Sequence, residues 1–199
     1  MKQRSDLDTH AVILAGGKAR RMQGQDKGLI KVHGRRLIDY AIAAATPLAR
    51  DIVISANRNI AAYESLGYPV YKDQFGDYAG PLAGILTALN MIRGDALLLV
   101  LPCDMPALPI DISGQLRNRL LTSDADICCI SNQGRIQPLV SLMHTRVQQN
   151  LQVFLQSGKH KVMDWVSQLH MVSVDCKIDE QSFVNINTVE ALNAFEKQS

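Results

Sequence analysis

The sequence has little of what marks secreted, membrane-bound or nucleic-acid-binding proteins. Its 199 residues include four cysteines, one tryptophan and 5% aromatic residues, and the formal net charge is only +2. A charge this close to neutral argues against a nucleic-acid or membrane-binding surface. The longest apolar run, 96–102, is far too short to span a bilayer, and residues 1–10 are polar without the apolar core of a signal peptide. We therefore expect a cytoplasmic protein without nucleic-acid or membrane partners.

The cysteines indicate neither a disulfide framework nor a metal site. They are Cys103, Cys128, Cys129 and Cys176, with no C-x-x-C spacing and no histidines at zinc-ligand intervals. If 125–130 is a strand, adjacent Cys128 and Cys129 point to opposite faces, which disfavours a disulfide between them. We expect reduced thiols that fill core positions.

Short apolar runs alternate with longer amphipathic segments along the chain. The predicted strands are 11–15, 51–56, 69–72, 96–101, 125–130, 137–144 and 170–175. The predicted helices are 36–48, 59–67, 81–93, 109–121, 146–156, 161–169 and 188–197. In the third helix, for example, Leu82, Ile85, Leu86 and Leu89 fall on one face. Alternation of this kind predicts an α/β fold with a mostly parallel sheet and helices on both faces.

No linker, repeat or low-complexity tract divides the chain. We expect one domain over 11–199, preceded by a polar segment, 1–10. Parallel α/β sheets bind ligands beyond the carboxyl ends of their strands. The loops that follow the predicted strands are therefore the places to look for chemistry.

The first such loop, 14-LAGGKARRMQGQDKG-28, combines glycine with positive charge. Its charged residues are Lys18, Arg20, Arg21, Asp26 and Lys27. Glycines let consecutive backbone N–H groups approach an anion, and the cations suit a triphosphate. The loop is neither a Walker A motif nor a dinucleotide G-x-G-x-x-G motif. A mobile, solvated loop is the alternative interpretation.

The second loop, 102-PCDMP-106, follows the most apolar strand. Asp104 lies between two prolines, which restrict the backbone and so reduce the entropy lost in holding the carboxylate still. Magnesium prefers oxygen ligands and often shares them with substrate phosphates. Asp104 is therefore a candidate Mg²⁺ ligand, with a turn-forming role as the alternative.

Three further sites follow other strands. Asn57 and Asp73 could each hydrogen-bond a ribose or base, or close a turn. The segment 79-AGPLAG-84 could serve a ligand or only begin a helix. In 183-FVNINT-188, Asn185 and Asn187 point the same way if the segment is extended. Asn187 also fits a helix N-cap with Glu190 as its capping-box partner.

Taken together, these loops resemble the molybdenum cofactor guanylyltransferases. The shared motifs are LAGG, R-M, D-K, PLAG, P-C-D-x-P and N-x-N-T, in this order and over nearly the whole chain from Val12. LAGG with R-M and D-K alone would mark only the wider nucleotidyltransferase superfamily. The resemblance implies a three-layer, Rossmann-like nucleotidyltransferase fold, with a nucleotide half over about 11–106 and an acceptor half over about 107–199.

The resemblance also implies roles for individual residues. GTP would be bound by Leu14, Ala15, Gly16, Gly17, Lys27, Asn57, Asp73 and Asp104. Asp104 would hold Mg²⁺, Lys27 and Arg21 would balance charge on the leaving group, and the LAGG and PLAG segments favour guanine over cytosine. Asn185 and Asn187 would lie near the active centre, and Lys159 could meet the acceptor phosphate. One departure is Gln23, which stands where relatives commonly have glycine.

The implied reaction transfers GMP from GTP to the terminal phosphate of molybdenum-molybdopterin and releases pyrophosphate. Proteins that deliver the pterin or receive the product are further expected partners. Two enzymatic alternatives are a cytidylyltransferase of the same superfamily and a sugar-1-phosphate nucleotidyltransferase. A third alternative is a nucleotide-binding protein without catalytic activity.

Overall fold

A computed structural model describes residues 6–16, 26–73, 80–176 and 189–196 of the chain. The strands are β1 (Thr9–Leu14), β2 (Lys31–Val32), β3 (Arg35–Arg36), β4 (Asp51–Ser55), β5 (Val70–Tyr71), β6 (Leu97–Pro102), β7 (Ile127–Asn132), β8 (Arg135–His144) and β9 (Met171–Asp175). The helices are α1 (Leu37–Ala45), α2 (Ile60–Glu64), α3 (Pro81–Met91), α4 (Ile112–Leu121), α5 (Gln148–Gln156), α6 (Val162–Val166) and α7 (Val189–Glu196). Every strand and helix predicted from the sequence has a counterpart here, with ends that differ by a few residues.

Seven strands form one sheet in the order β5-β4-β1-β6-β8-β7-β9. β8 runs antiparallel to both of its neighbours, whereas the other neighbouring pairs are parallel. From β1 the chain first builds outward through β4 and β5, and it then returns to place β6 on the other side of β1. Strand order therefore reverses beside β1, and such a reversal is where open α/β sheets bind ligands. The prediction of a mostly parallel sheet is confirmed.

Helices cover both faces of the sheet. Alternate residues of β1 face opposite ways, so that Ala11 and Ile13 join one core cluster while Val12 and Leu14 join the other. The first cluster includes side chains of α1, α2 and α4, and the second includes side chains of α3, α5 and α6. Because both faces are buried, the strands read as continuous apolar runs in the sequence. The result is the expected three-layer α/β arrangement.

α3 is the most deeply enclosed helix of the described chain. Its residues 82–89 are all buried, because the helix lies between the sheet and α5. Gln148 at the start of α5 donates to Asn90 near the end of α3 over 2.8 Å, which joins the two helices. Pro81 occupies the first turn, where its missing N–H costs no hydrogen bond. Gly84 lies against Ser55, the last residue of β4, so the amino end of α3 lies at the carboxyl edge of the sheet.

A hairpin made by β2 and β3 is the main element that the sequence analysis missed. Its sequence, 31-KVHGRR-36, carries four basic residues and lacks an extended apolar run. The turn is made by His33 and Gly34, both with positive φ. The His33 ring lies 5.8 Å from the Phe195 ring of α7, so the last helix covers this hairpin.

The cysteines behave as the sequence predicts. All four are free and buried, and Cys128 and Cys129 belong to the core clusters on opposite faces of the sheet. Burial raises the pKa of both thiols to about 12, so they stay protonated near neutral pH. Within the described ranges, none of the helices combines the length and apolar character that a membrane crossing requires.

Candidate functional site

Four neighbouring strands end together at one edge of the sheet. Backbone hydrogen bonds continue past the strand ends, from Ala15 N to Ser55 O (2.9 Å), from Ala56 N to Tyr71 O (3.0 Å) and from Cys103 N to Leu14 O (3.1 Å). These bonds place the segments after β1, β4, β5 and β6 side by side. The predicted residues Leu14, Ala15, Gly16, Asn57, Asp73 and Asp104 all lie on them.

Lys27 and Asp104 meet at this edge. Lys27 begins a short 3₁₀ turn, Lys27–Leu29, and Asp104 follows β6. The Lys27 Nζ to Asp104 Oδ2 distance is 3.4 Å, and the side chains are 24% and 15% exposed. The fold thus brings together a cation and a carboxylate that the sequence analysis assigned separately to phosphate and metal binding.

Burial gives Asp104 unusual electrostatics. Desolvation raises the pKa of this carboxyl, and the charge and hydrogen bond of Lys27 oppose the rise. A carboxylate withdrawn from water in this way gains from any further cation placed beside it. The position of Asp104 therefore favours a bound metal ion over a purely structural turn.

Asn57 and Asp73 form a reciprocal pair. Asn57 Nδ2 donates to Asp73 Oδ2 over 2.7 Å, and Asp73 N donates to Asn57 Oδ1 over 3.0 Å. The buried Ser55 hydroxyl donates to the other carboxylate oxygen, Asp73 Oδ1, over 3.0 Å. The pair is held rigidly and remains accessible, because Asn57 is exposed and Asp73 is half-buried. No sequence pattern indicated the part played by Ser55.

Gly84 of the PLAG segment lies against this pair. A Cβ built on Gly84 would overlap the Ser55 hydroxyl and would lie 3.2 Å from Asp73 Oδ1. Any larger residue would therefore require the Ser55 hydroxyl or α3 to move, which would disturb the Asn57–Asp73 pair. This contact gives the glycine a physical role next to the nucleotide-binding candidates. A Cβ on Gly16 would lie 3.7 Å from Asn57 Nδ2, so the LAGG segment borders the same pair.

Asp26, to which the sequence assigned no role of its own, is held by two side chains. Tyr63 of α2 donates its hydroxyl hydrogen bond to Asp26 Oδ1, and Asn59 Nδ2 donates to Asp26 Oδ2 over 3.0 Å. Nothing in the sequence pattern indicated Tyr63 or Asn59, because they lie 37 and 33 residues away from Asp26.

The residues at the edge fit a magnesium ion that is shared with a substrate. Mg²⁺ commonly takes only one or two protein carboxylates and completes its octahedron with water and substrate phosphates. Asp104 supplies one such carboxylate, partly desolvated and beside a lysine. Among the described residues no cluster of three or more His, Cys, Asp or Glu side chains could form a metal site of its own. The donor set therefore suits a metal that arrives with a phosphate ligand.

Of the other predicted site residues, Lys159 is described, and it lies in the exposed segment that follows α5. The residues outside the described ranges are Gly17, Lys18, Arg20, Arg21, Gln23, Asn185 and Asn187.

Comparison with known proteins identifies the family. Residues 11–172 match the MobA-like NTP transferase domain. A molybdenum cofactor guanylyltransferase of Shewanella woodyi is 39% identical over 184 residues, which cover 92% of this chain and 93% of that protein. The protein of the same name from Shewanella frigidimarina is 44% identical over 181 residues, covering 90% of this chain and 91% of its own.

Solved structures share the fold. The molybdopterin-guanine dinucleotide biosynthesis protein A of Archaeoglobus fulgidus superposes with a TM-score of 0.75 at 23% identity, covering 94% of this chain and 97% of its own. A CMP:2-keto-3-deoxy-manno-octonic acid synthetase complexed with CTP also gives 0.75, at 9% identity, with coverage of 96% and 97%. At these low sequence identities, the two structures show that the fold is shared and nothing more. The family match and the curated relatives establish that this chain belongs to the molybdenum cofactor guanylyltransferase family and is a nucleotidyltransferase.

Proposed function

We propose that this enzyme transfers GMP from GTP to the terminal phosphate of molybdenum-molybdopterin, forming molybdopterin guanine dinucleotide and pyrophosphate. The observation that carries the proposal is the Lys27–Asp104 pair at the point where strand order reverses, in a chain whose curated relatives are named guanylyltransferases. The names of these relatives favour this reaction over cytidylyl transfer or sugar-1-phosphate chemistry.

The nucleoside binds along the ends of β1, β4 and β5. Backbone groups of Leu14, Ala15, Gly16 and Gly17 contact the guanine and ribose. The Asn57–Asp73 pair lies beside Gly16 and supplies amide and carboxylate groups that can hydrogen-bond the nucleoside. Because Ser55 and Gly84 hold Asp73 in place, the pair is ordered before GTP arrives and loses little entropy on binding.

Group transfer here requires positioning and charge balance more than proton transfer. The attacking oxygen belongs to a phosphate that is already anionic, so no general base is needed. The phosphorus–oxygen bond to the α-phosphate forms as the bond to the pyrophosphate breaks, and negative charge grows on the leaving pyrophosphate. Lys27, together with Arg21, balances this charge.

Asp104 is the residue that would hold Mg²⁺. When bound, the ion would supply Lewis-acid polarisation of the phosphate oxygens. The chain itself supplies a carboxylate whose pKa is raised by burial and whose orientation is fixed by the end of β6 and by Lys27. Lys27 thus serves two groups, the carboxylate and the phosphates.

The acceptor is assigned to the second half of the chain, about 107–199. Asn185 and Asn187 are proposed near the reacting phosphate, and Lys159 is proposed to meet the acceptor phosphate. Lys159 is exposed, as a residue that meets an incoming substrate must be. Proteins that deliver the pterin or receive the product are further proposed partners.

The test combines substrate choice with turnover. Purified protein is incubated with GTP, Mg²⁺ and molybdenum-molybdopterin, and pyrophosphate and the dinucleotide product are quantified. CTP and a panel of sugar 1-phosphates serve as the competing donor and acceptors. Formation of product with GTP and the pterin supports the proposal. A preference for CTP, transfer to a sugar phosphate, or GTP binding without pyrophosphate release under any condition contradicts it.

A further inference from the structure

The side chains that hold Asp26 have no role in the reaction as described so far. Lys27 has a long, flexible side chain, and placing its ammonium beside a phosphate requires that its backbone be held still. The turn that carries it, Lys27–Leu29, is only three residues long. Two backbone hydrogen bonds form within residues 26–30, from Leu29 N to Asp26 O and from Ile30 N to Lys27 O, each 3.1 Å long. These local bonds do not fix the turn relative to the sheet.

Asp26 ties this turn to α2. Both of its carboxylate oxygens accept hydrogen bonds from that direction, one from the Tyr63 hydroxyl and the other from Asn59 Nδ2 over 3.0 Å. Two bonds on one carboxylate fix its orientation as well as its position. Since Asp26 directly precedes Lys27, the backbone from which the lysine side chain departs is fixed as well.

The Tyr63 ring packs directly against the turn that carries Lys27. Tyr63 is fully buried, and a Cβ on Gly28 would overlap its hydroxyl and would come within 3.2 and 3.3 Å of two ring carbons. The turn therefore rests directly on the ring, and only glycine fits at position 28. Burial raises the pKa of Tyr63, and the hydrogen bond to Asp26 raises it further, so the hydroxyl remains a donor.

We propose that Tyr63, Asn59 and Asp26 are positioning residues that hold Lys27 in the geometry needed to contact both Asp104 and the phosphates of GTP. This inference rests on the proposed function, because it explains how one of the catalytic groups is oriented. The competing explanation is that Tyr63 only fills the core and that Asp26 only satisfies its hydroxyl. Both explanations allow a loss of stability when the Tyr63 hydroxyl is removed, but only the positioning role predicts a loss of kcat and GTP affinity.

The primary variant is Tyr63→Phe, which keeps the ring and removes the hydroxyl. The matched control is Tyr40→Phe in α1, where the lost hydroxyl donates to the Val32 carbonyl over 3.2 Å. We expect Tyr63→Phe to lower kcat about tenfold, since small displacements of a catalytic group are costly in rate, and to weaken GTP binding several-fold. Tyr40→Phe should leave both quantities at the wild-type value.

A second variant guards against misfolding of the first. Asn59 has φ 50, a conformation that glycine adopts freely, so Asn59→Gly keeps the backbone and removes only the donor to Asp26. It should lower kcat as Tyr63→Phe does, because each variant removes one of the two hydrogen bonds to Asp26 and leaves the other.

The decisive measurement is a double-mutant cycle on the dissociation constant of Mg·GTP, measured by calorimetry. If the three residues act through Lys27, Tyr63→Phe weakens binding in the wild type and has no further effect in Lys27→Ala. An equal loss in both backgrounds, or unchanged kcat and GTP affinity in Tyr63→Phe, overturns the proposal. Because the cycle reads GTP binding alone, it decides the positioning role even if the pterin proves not to be the acceptor.

Discussion

Replacing Asp104 with asparagine removes the proposed metal-binding charge while changing the side-chain shape very little. The side chain is 15% exposed and its carboxylate lies 3.4 Å from Lys27 Nζ. Loss of one preorganised charge at a group-transfer centre typically lowers the rate by about 10²–10³. We therefore expect Asp104→Asn to lose at least about 99% of its pyrophosphate release at saturating GTP and Mg²⁺.

The same substitution changes how the stability of the protein depends on pH, and the sign of that change follows from the raised pKa of Asp104. Burial raises the pKa of Asp104 above its value in the unfolded chain, so the folded protein holds this proton more tightly. The stabilising contribution is complete below the unfolded pKa and is lost as pH rises through the folded pKa. At neutral pH the ionised carboxylate therefore carries a desolvation penalty that asparagine does not.

The net effect on unfolding is small at neutral pH. Asp104→Asn also loses the partly exposed ion pair with Lys27, and such pairs contribute about 1 kcal/mol or less. Because this loss opposes the relief of desolvation, we expect the melting temperature to change by no more than about 4 °C, the shift that 1 kcal/mol produces in a chain of this size.

Thermal melts of the two proteins between about pH 4 and neutral pH, the range just above the ordinary Asp pKa, test the sign. The asparagine variant should gain stability relative to the wild type as pH rises, since the other titrating groups are common to both and cancel. Mg²⁺ should strengthen the stabilisation by GTP in the wild type and not in the variant. A variant that turns over at more than about a tenth of the wild-type rate would refute the metal-ligand role, since that loss is too small for a charge of this kind.

Three other changes probe the site and the core. Lys27→Ala should lower kcat about 10²-fold, whereas Lys31→Ala on the exposed hairpin should not, as steady-state kinetics will show. Gly84→Ala should raise the KM for GTP by displacing Asp73. Its control is Gly114→Ala, which should leave the KM unchanged because no atom lies within 4 Å of the new Cβ. A KM for Gly84→Ala equal to that of the wild type would contradict the packing argument. The buried thiols should not react with a thiol reagent until the protein unfolds, and rapid labelling of the native protein would count against their burial.

Local sequence pattern was sufficient to predict the parts of the fold that are buried on both sides. β6 is a run of leucine and valine in which every residue is buried, so its apolar character alone marks it as a central strand. Its position explains why Asp104, the polar residue just beyond it, could be identified as a site candidate. The helix α3 was similarly predictable, because its apolar residues recur at helical spacing within one continuous segment of the sequence.

Contacts between distant segments could not be predicted in this way. Two side-chain hydrogen bonds illustrate this, from Tyr63 to Asp26 and from Ser55 to Asp73. They join residues 37 and 18 positions apart, and neither pair has a characteristic spacing in the sequence. The β2–β3 hairpin escaped prediction for a different reason. Its strands have two residues each and are covered by α7, which lies at the far end of the chain, so tertiary packing supplies what the local sequence lacks.

The segment from the end of β4 into α2 connects the two halves of the proposed nucleotide site. Ser55 and Asn57 hold Asp73 at the proposed nucleoside end, and Asn59 and Tyr63 hold Asp26 beside Lys27 at the proposed phosphate end. If these roles hold, a single segment anchored by β4 in the sheet sets the separation between the residues that bind the nucleoside and the lysine that balances the phosphate charge. Since group transfer depends on that separation, we expect the short helix α2 to contribute to catalysis through its position, although none of its residues is proposed to touch GTP.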